Sequence, residues 1–172
     1  MKHILWVLTL LCTLQSNTAL SQDFPIDPYA EMINMAHKMH NPTSKMKRLA
    51  AETFKELDLE PRKIYFAPMA EIARQLDKPR AIGVCFSNSK TIIVDTAVFS
   101  RMSEKQLKLT IAHELLHCEA DFRSHDNRKV KTPVGVCGYS LMFPSIAAPK
   151  CAEFMYKFYM TEARNMLQMM GK

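Results

Sequence analysis

From Ser103 to Phe122 the chain reads as one long helix that has to hold two histidines on a single face. Ser103 is a good N-cap, and Gln106 stands at the third helical position, so the two form a capping box. The helix is expected to run from Glu104 to about Phe122. Helical residues four apart stand one turn above the other. His113 and His117 can therefore offer two ring nitrogens to one ion, and Glu114 sits on the flank of that face.

A catalytic zinc site takes three protein ligands and keeps one position open. Four residues compete for the third place. Asp121 continues the series of four, but three collinear helix positions span about 12 Å from first to last, too far for a short side chain on a regular helix. His125 fits if the helix breaks near Phe122 and the chain turns back. Ser124, Asp126 and Asn127 tolerate such a turn. Glu153 and Glu162, near the C-terminus, compete from across a cleft. His125 ranks first. A ligating histidine donates its other ring N–H to a carboxylate or a carbonyl, and Asp126, Asp121, Glu119 and Asp95 are the carboxylates available.

The flanking sequence supplies other elements. Residues 22–28 are Pro-rich and expected to be extended. Residues 29–40 read as a helix with Tyr29, Ile33, Ala36 and Met39 or His40 near one face. Asn41-Pro42 ends it and is placed to cap the next, whose apolar face is Met46, Leu49, Ala50, Phe54 and Leu57. His37 and His40 have no third ligand nearby and are expected to be exposed. Strands are expected at 63–67, 81–86 and 91–98, the last two as a hairpin about Ser87–Lys90. A loop with Gly135 and Gly138 follows the long helix. Pro149 and Gly171 bracket a final helix, with Phe154, Met155, Phe158, Glu162 and Met166 repeating at three and four.

The chain has 172 residues, which suits one domain. Lys2, the apolar run Ile4–Leu14 and Ala19-Leu20-Ser21 read as a signal peptide over 1–21, with the domain at 22–172. The apolar run is too short for a membrane span, so no stable membrane insertion is expected after cleavage. Cleavage removes Cys12 and leaves Cys85, Cys118, Cys137 and Cys151. An exported chain with four cysteines has three possible pairings; four buried thiols are the competing reading.

The net charge of +6 comes from cations scattered among acids. Lys45-x-Lys47-Arg48 and Arg128-Lys129-x-Lys131 are short, so a solvated basic surface is expected and no nucleic acid. The chain has 13 methionines, of which Met155, Met166 and Met169 fall at helical spacing, which suits core packing over soft-metal binding.

His113-Glu114-Leu115-Leu116-His117 resembles the active-site helix of the zincin metallopeptidases. Tyr139-Ser140-Leu141-Met142-Phe143-Pro144 resembles the methionine turn of their metzincin branch. Cys118, Arg123, His125, Asp126, Ser140, Met142 and Pro144 together resemble a group of small secreted metallopeptidase-like proteins. The resemblance covers about residues 91–145, roughly a third of the chain. It departs from the metzincin pattern in three places: Ala120 holds the glycine position, Arg123 holds the third-histidine position, and His125 falls two residues later.

The resemblance implies an α+β, zincin-like single domain. A small mixed or antiparallel sheet would pack on the active helix, with helices at both ends of the chain. It implies one zinc ion on His113, His117 and His125, with Met142 as an apolar floor. Such a metal acidifies water, and Glu114 would take the proton as general base, for hydrolysis of a peptide or protein substrate in a secreted or periplasmic setting. Arg123 either clamps Asp126 or a substrate carboxylate or is an ordinary surface arginine, and Tyr139 either steadies an oxyanion or packs. The rival readings are an inactive metal-binding zincin fold and an interaction protein whose HExxH is accidental. Oligomeric state and cleavage preference have no signal.

Overall fold

The computed structural model describes residues 29–171 except 79, 80, 121 and 123. The expected signal at 1–21, the segment 22–28, Asp121 and Arg123 lie outside the described residues. The architecture is mixed α+β.

Helix α1 (Ala30–Lys38) buries Met32 and Ala36, with Ile33 packed beside them and the Tyr29 ring, 38% exposed, lying 5.1 Å from that of Phe86. Helix α2 (Ser44–Glu56) buries the expected face of Met46, Leu49, Ala50 and Phe54, with Leu57 just beyond it. Its cap is Thr43, whose hydroxyl accepts from the Met46 amide at 3.2 Å. Asn41 does not cap it, because the Asn41 backbone is turned to the sheet, where its N–H donates to the Phe66 carbonyl at 3.1 Å.

Strands β1 (Lys63–Ala67), β2 (Gly83–Phe86) and β3 (Thr91–Asp95) form a sheet in the order β1-β3-β2. The β2–β3 pair is the expected antiparallel hairpin. β1 runs parallel to β3, with Ile64 opposite Ile92 and Phe66 opposite Val94, so the sheet is mixed. Successive strand residues point to opposite faces. Phe66, Ile92 and Val94 therefore enter the main core, and Tyr65, Ala67 and Ile93 enter a second core with α1. Burial on both faces explains the unbroken apolar run at 92–94.

β3 ends three residues earlier than expected. The Asp95 carboxylate accepts from the Ala97 amide at 3.0 Å and starts a short helix, α4 (Thr96–Phe99). A further short helix, α3 (Ala70–Gln75), lies between β1 and β2.

Helix α5 (Glu104–Glu119) has the expected capping box of Ser103 and Gln106. It is buried nearly all round, from Leu107 and Leu109 to Leu116 and Cys118, as befits a central helix. It packs on α2, β2, β3 and the last helix, α6 (Pro149–Met169). The expected loop after α5 contains a second hairpin, β4 (Lys129–Thr132) with β5 (Gly135–Gly138).

On α6 the inner face is Cys151, Ala152, Tyr159, Met160, Ala163 and Leu167. Phe154 and Phe158 are about half exposed and Met169 is mostly exposed, so the expected face is displaced around the helix. Met155 and Met166 pack at the edge of the core.

The four cysteines pair as Cys85–Cys118 and Cys137–Cys151. The first ties β2 to α5, and the second ties β5 to α6. Among the described residues no helix is long and apolar enough to cross a membrane. Two disulfides are compatible with an oxidising, extracytoplasmic setting.

Candidate metal centre

His113 and His117 leave α5 on one face, and their Nε2 atoms lie 3.2 Å apart. His125 comes from the segment after the helix and completes the group: the ligand atoms of the three lie within 4.8 Å of one another. The His125 ring stacks on His113, with centroids 5.3 Å apart, and meets His117 edge-on at 5.1 Å.

The return of the chain depends on where α5 stops. The helix ends at Glu119, not near Phe122, and Ala120 closes it by donating to the Leu116 carbonyl at 3.1 Å. That early end frees the Phe122 carbonyl to accept from His117 Nδ1. His113 Nδ1 donates to the Leu141 carbonyl at 2.9 Å. The orientation of these two rings is therefore set by backbone carbonyls, the expected alternative to a carboxylate. Of the available carboxylates, Asp121 lies outside the described residues and the other three are engaged elsewhere. Asp126 binds the Arg128 guanidinium at 2.6–3.0 Å, Glu119 pairs with Arg62 at 2.8 Å, and Asp95 caps α4.

This pattern fixes tautomers. A carbonyl oxygen only accepts, so each facing Nδ1 carries a proton. A hydrogen bond between the two Nε2 atoms would then need one ring to be cationic. Burial opposes that: it lowers the pKa of His113 to about 4 and depresses His117 as well. His125 is also lowered, by burial and then by the charge of Lys78. Two neutral rings thus aim lone pairs at the same point from 3.2 Å apart, an arrangement that a cation between them relieves. The donor set fits a metal ion.

The segment Ser140–Met142 braces the group from below. The Met142 carbonyl accepts from the Asp126 amide at 2.9 Å, next to His125 in sequence, while the Leu141 carbonyl holds His113. The Leu141 amide in turn donates to Glu162 at 2.7 Å. Met142 itself is buried in the main core. Glu162 thus supports a histidine through one peptide unit, and it is not grouped with the ring nitrogens. Glu153 lies on the exposed side of α6 and pairs with Lys105 at 2.5 Å. Tyr139 is 44% exposed, with the Arg128 guanidinium 4.3 Å above its ring, and is not among the residues lining the cleft.

Glu114 lies on the floor of the same cleft, which encloses about 1120 Å³ and is also lined by all three histidines. Its carboxyl pKa is raised by burial to about 8, with Lys78 acting in the opposite sense. Gly83 of β2 makes room for it: a Cβ there would come within 2.8 Å of Glu114 Cγ and Oε1. Gly83, Lys78, Glu162 and the carbonyls of Phe122 and Leu141 carry no signal in the HExxH pattern. The sequence did point at part of this group: Glu162 was a candidate ligand, and the Tyr139–Pro144 resemblance marked the segment through its methionine side chain.

Compared with protein families, with curated proteins and with solved structures, the chain matches none.

Proposed function

We propose that this protein is a zinc-dependent metallopeptidase with a zincin-like fold, acting outside the cytoplasm. One observation carries the reading: three imidazoles converge beside a buried glutamate on the floor of an open cleft. Imidazole nitrogens suit zinc, and three protein ligands with a position left open are the pattern of a catalytic site, whereas structural sites are closed by four. A bound zinc ion supplies Lewis acidity, which acidifies water and polarises a carbonyl.

The chain's own residues supply the rest. His113 and His117 present Nε2 because their Nδ1 protons are held by Leu141 and Phe122. Glu114 is positioned to take a proton at its carboxylate and return it to a leaving amine. Burial favours its protonated form, and a divalent cation at the histidines acts on it in the opposite direction. β2 is an edge of its sheet and runs along the cleft. Its unpaired backbone groups suit an extended peptide, which hydrogen-bonds to a strand edge. Tyr29, Ile82, Phe86, Phe143 and Ile146 give the walls an apolar surface.

The test is Glu114→Gln in the full mature chain. The amide cannot accept a proton, so zinc content stays at that of the wild type while peptide cleavage is lost. Cleavage by the variant at the wild-type rate overturns the assignment of Glu114. Failure of the wild-type chain to take up zinc overturns the reading as a whole.

A further inference from the structure

The cleft holds few charges. Among the described residues that line it, Glu114 is the only acid and Lys78 the only lysine or arginine. Glu114 is on the floor and buried; Lys78 is on the rim and exposed. The ammonium of Lys78 is close enough to Glu114, His117 and His125 for its charge to act on all three. No hydrogen bond or ion pair engages that ammonium among the described residues.

The base of this side chain is fixed although its tip is free. Lys78 follows α3, and Asp77 before it has a left-handed φ of 54°. The Asp77 amide donates to the Arg74 carbonyl at 3.1 Å, and the Lys78 amide donates to the Ala73 carbonyl at 2.8 Å. Those two bonds define a Schellman motif with Lys78 as the residue beyond the turn. The Lys78 carbonyl then accepts from the Ala81 amide at 2.9 Å, two residues before β2 begins. A helix terminus on one side and the edge strand on the other thus set the lysine beside the histidines.

A cation without a partner at the edge of a largely apolar cleft is an empty half of an ion pair. Among the described lysines only Lys105 and Lys108 pair with glutamates; what sets Lys78 apart is its place on the cleft that the three histidines line. We infer that Lys78 is a specificity residue that binds a carboxylate of the substrate, so that the substrates are apolar peptides bearing one carboxylate close to the bond that is cut. The carboxylate comes from an Asp or Glu side chain or from a free C-terminus. The inference rests on the metallopeptidase reading for the word substrate, but the binding of the carboxylate is separable from turnover.

The experiment uses the full mature chain loaded with zinc, in the Glu114→Gln form for binding and in the wild-type form for cleavage. Three apolar peptides of equal length serve as probes. One has an internal glutamate and an amidated end, one has no acid and a free end, and one has neither. The first or the second is expected to bind about tenfold more tightly than the third, and the advantage is expected to shrink as salt is raised. Which of the two binds tells the side-chain source from the terminal one.

Lys78→Met removes the advantage without loss of zinc, and Lys78→Glu turns it toward a peptide bearing lysine. Equal binding of all three peptides, or an advantage that survives Lys78→Met, overturns the inference. Cleavage of all three at one rate leaves the peptidase reading standing and sinks this one. Carboxylate-dependent binding with no cleavage by the wild type does the reverse.

Discussion

Gly83 and Glu114 belong to different elements, a strand edge and a buried helix, and they share one volume. A methyl group at 83 would come within 2.8 Å of the Glu114 side chain, both at Cγ and at Oε1. The nearer atoms are not a free tip that swings aside, since Glu114 is buried. Gly83→Ala is therefore expected to displace the carboxylate and leave the histidines where they are. Displacement of a reacting group by about 1 Å can cost about a hundredfold in rate. The expected result is a loss of that order in kcat with zinc content unchanged. Full activity in Gly83→Ala would mean that Glu114 has other room to move or another role. His113, Glu114 and His117 were legible in sequence because four-residue spacing on a capped helix is a geometric statement. Gly83 was not, because the contact joins residues 31 apart in number through packing alone.

At the scale of elements, the junction of α1 with β1 is held by a histidine that the sequence placed in solvent. His40 is half-buried, and its Nδ1 accepts from the Phe66 amide at 2.9 Å. Its pKa is lowered by burial, then by the charges of His37 and Lys47. The folded state thus binds this proton less well than the unfolded chain. The contribution to stability is present above the ordinary value of 6.5 and is lost as pH falls through the lowered one. Melting of the metal-free protein is expected to drop over that acidic range. His40→Gln, whose amide oxygen accepts without titrating, is expected to flatten part of the drop. An unchanged slope would show that the bond carries no linkage.

Other elements were hidden for reasons of the same kind. The run Thr91–Val98 is β-branched throughout its first half, yet it turns helical at Thr96 because the Asp95 side chain caps it. The β4–β5 hairpin is short, with four residues to a strand, and is tied to α6 by Cys137–Cys151, one of the pairings that the sequence left open. α6 bears apolar residues on more than one side, so periodicity alone could not tell Tyr159 inside from Phe158 outside.

At the scale of the molecule, α5 joins the separate parts. It packs on α2, α6 and the sheet, and Cys85–Cys118 links it to the edge strand just past His117. The segment after it returns His125 to the same point, braced by Ser140–Met142. A metal held by all three histidines would cross-link α5 to that returning segment, and binding to the folded state alone stabilises it. With zinc at a hundred times its Kd the gain is about 2.7 kcal/mol, or roughly 5–10 °C in Tm for a domain of this size. A chelator is expected to remove this increment reversibly. His117→Ala and His125→Ala are expected to lose it to a similar extent, because each takes away one of three donors. Glu153→Ala, on the far side of an ion pair with Lys105, is expected to keep it. A zinc-dependent shift that persists in His125→Ala and disappears in Glu153→Ala would place the third ligand on α6 and break the site described above.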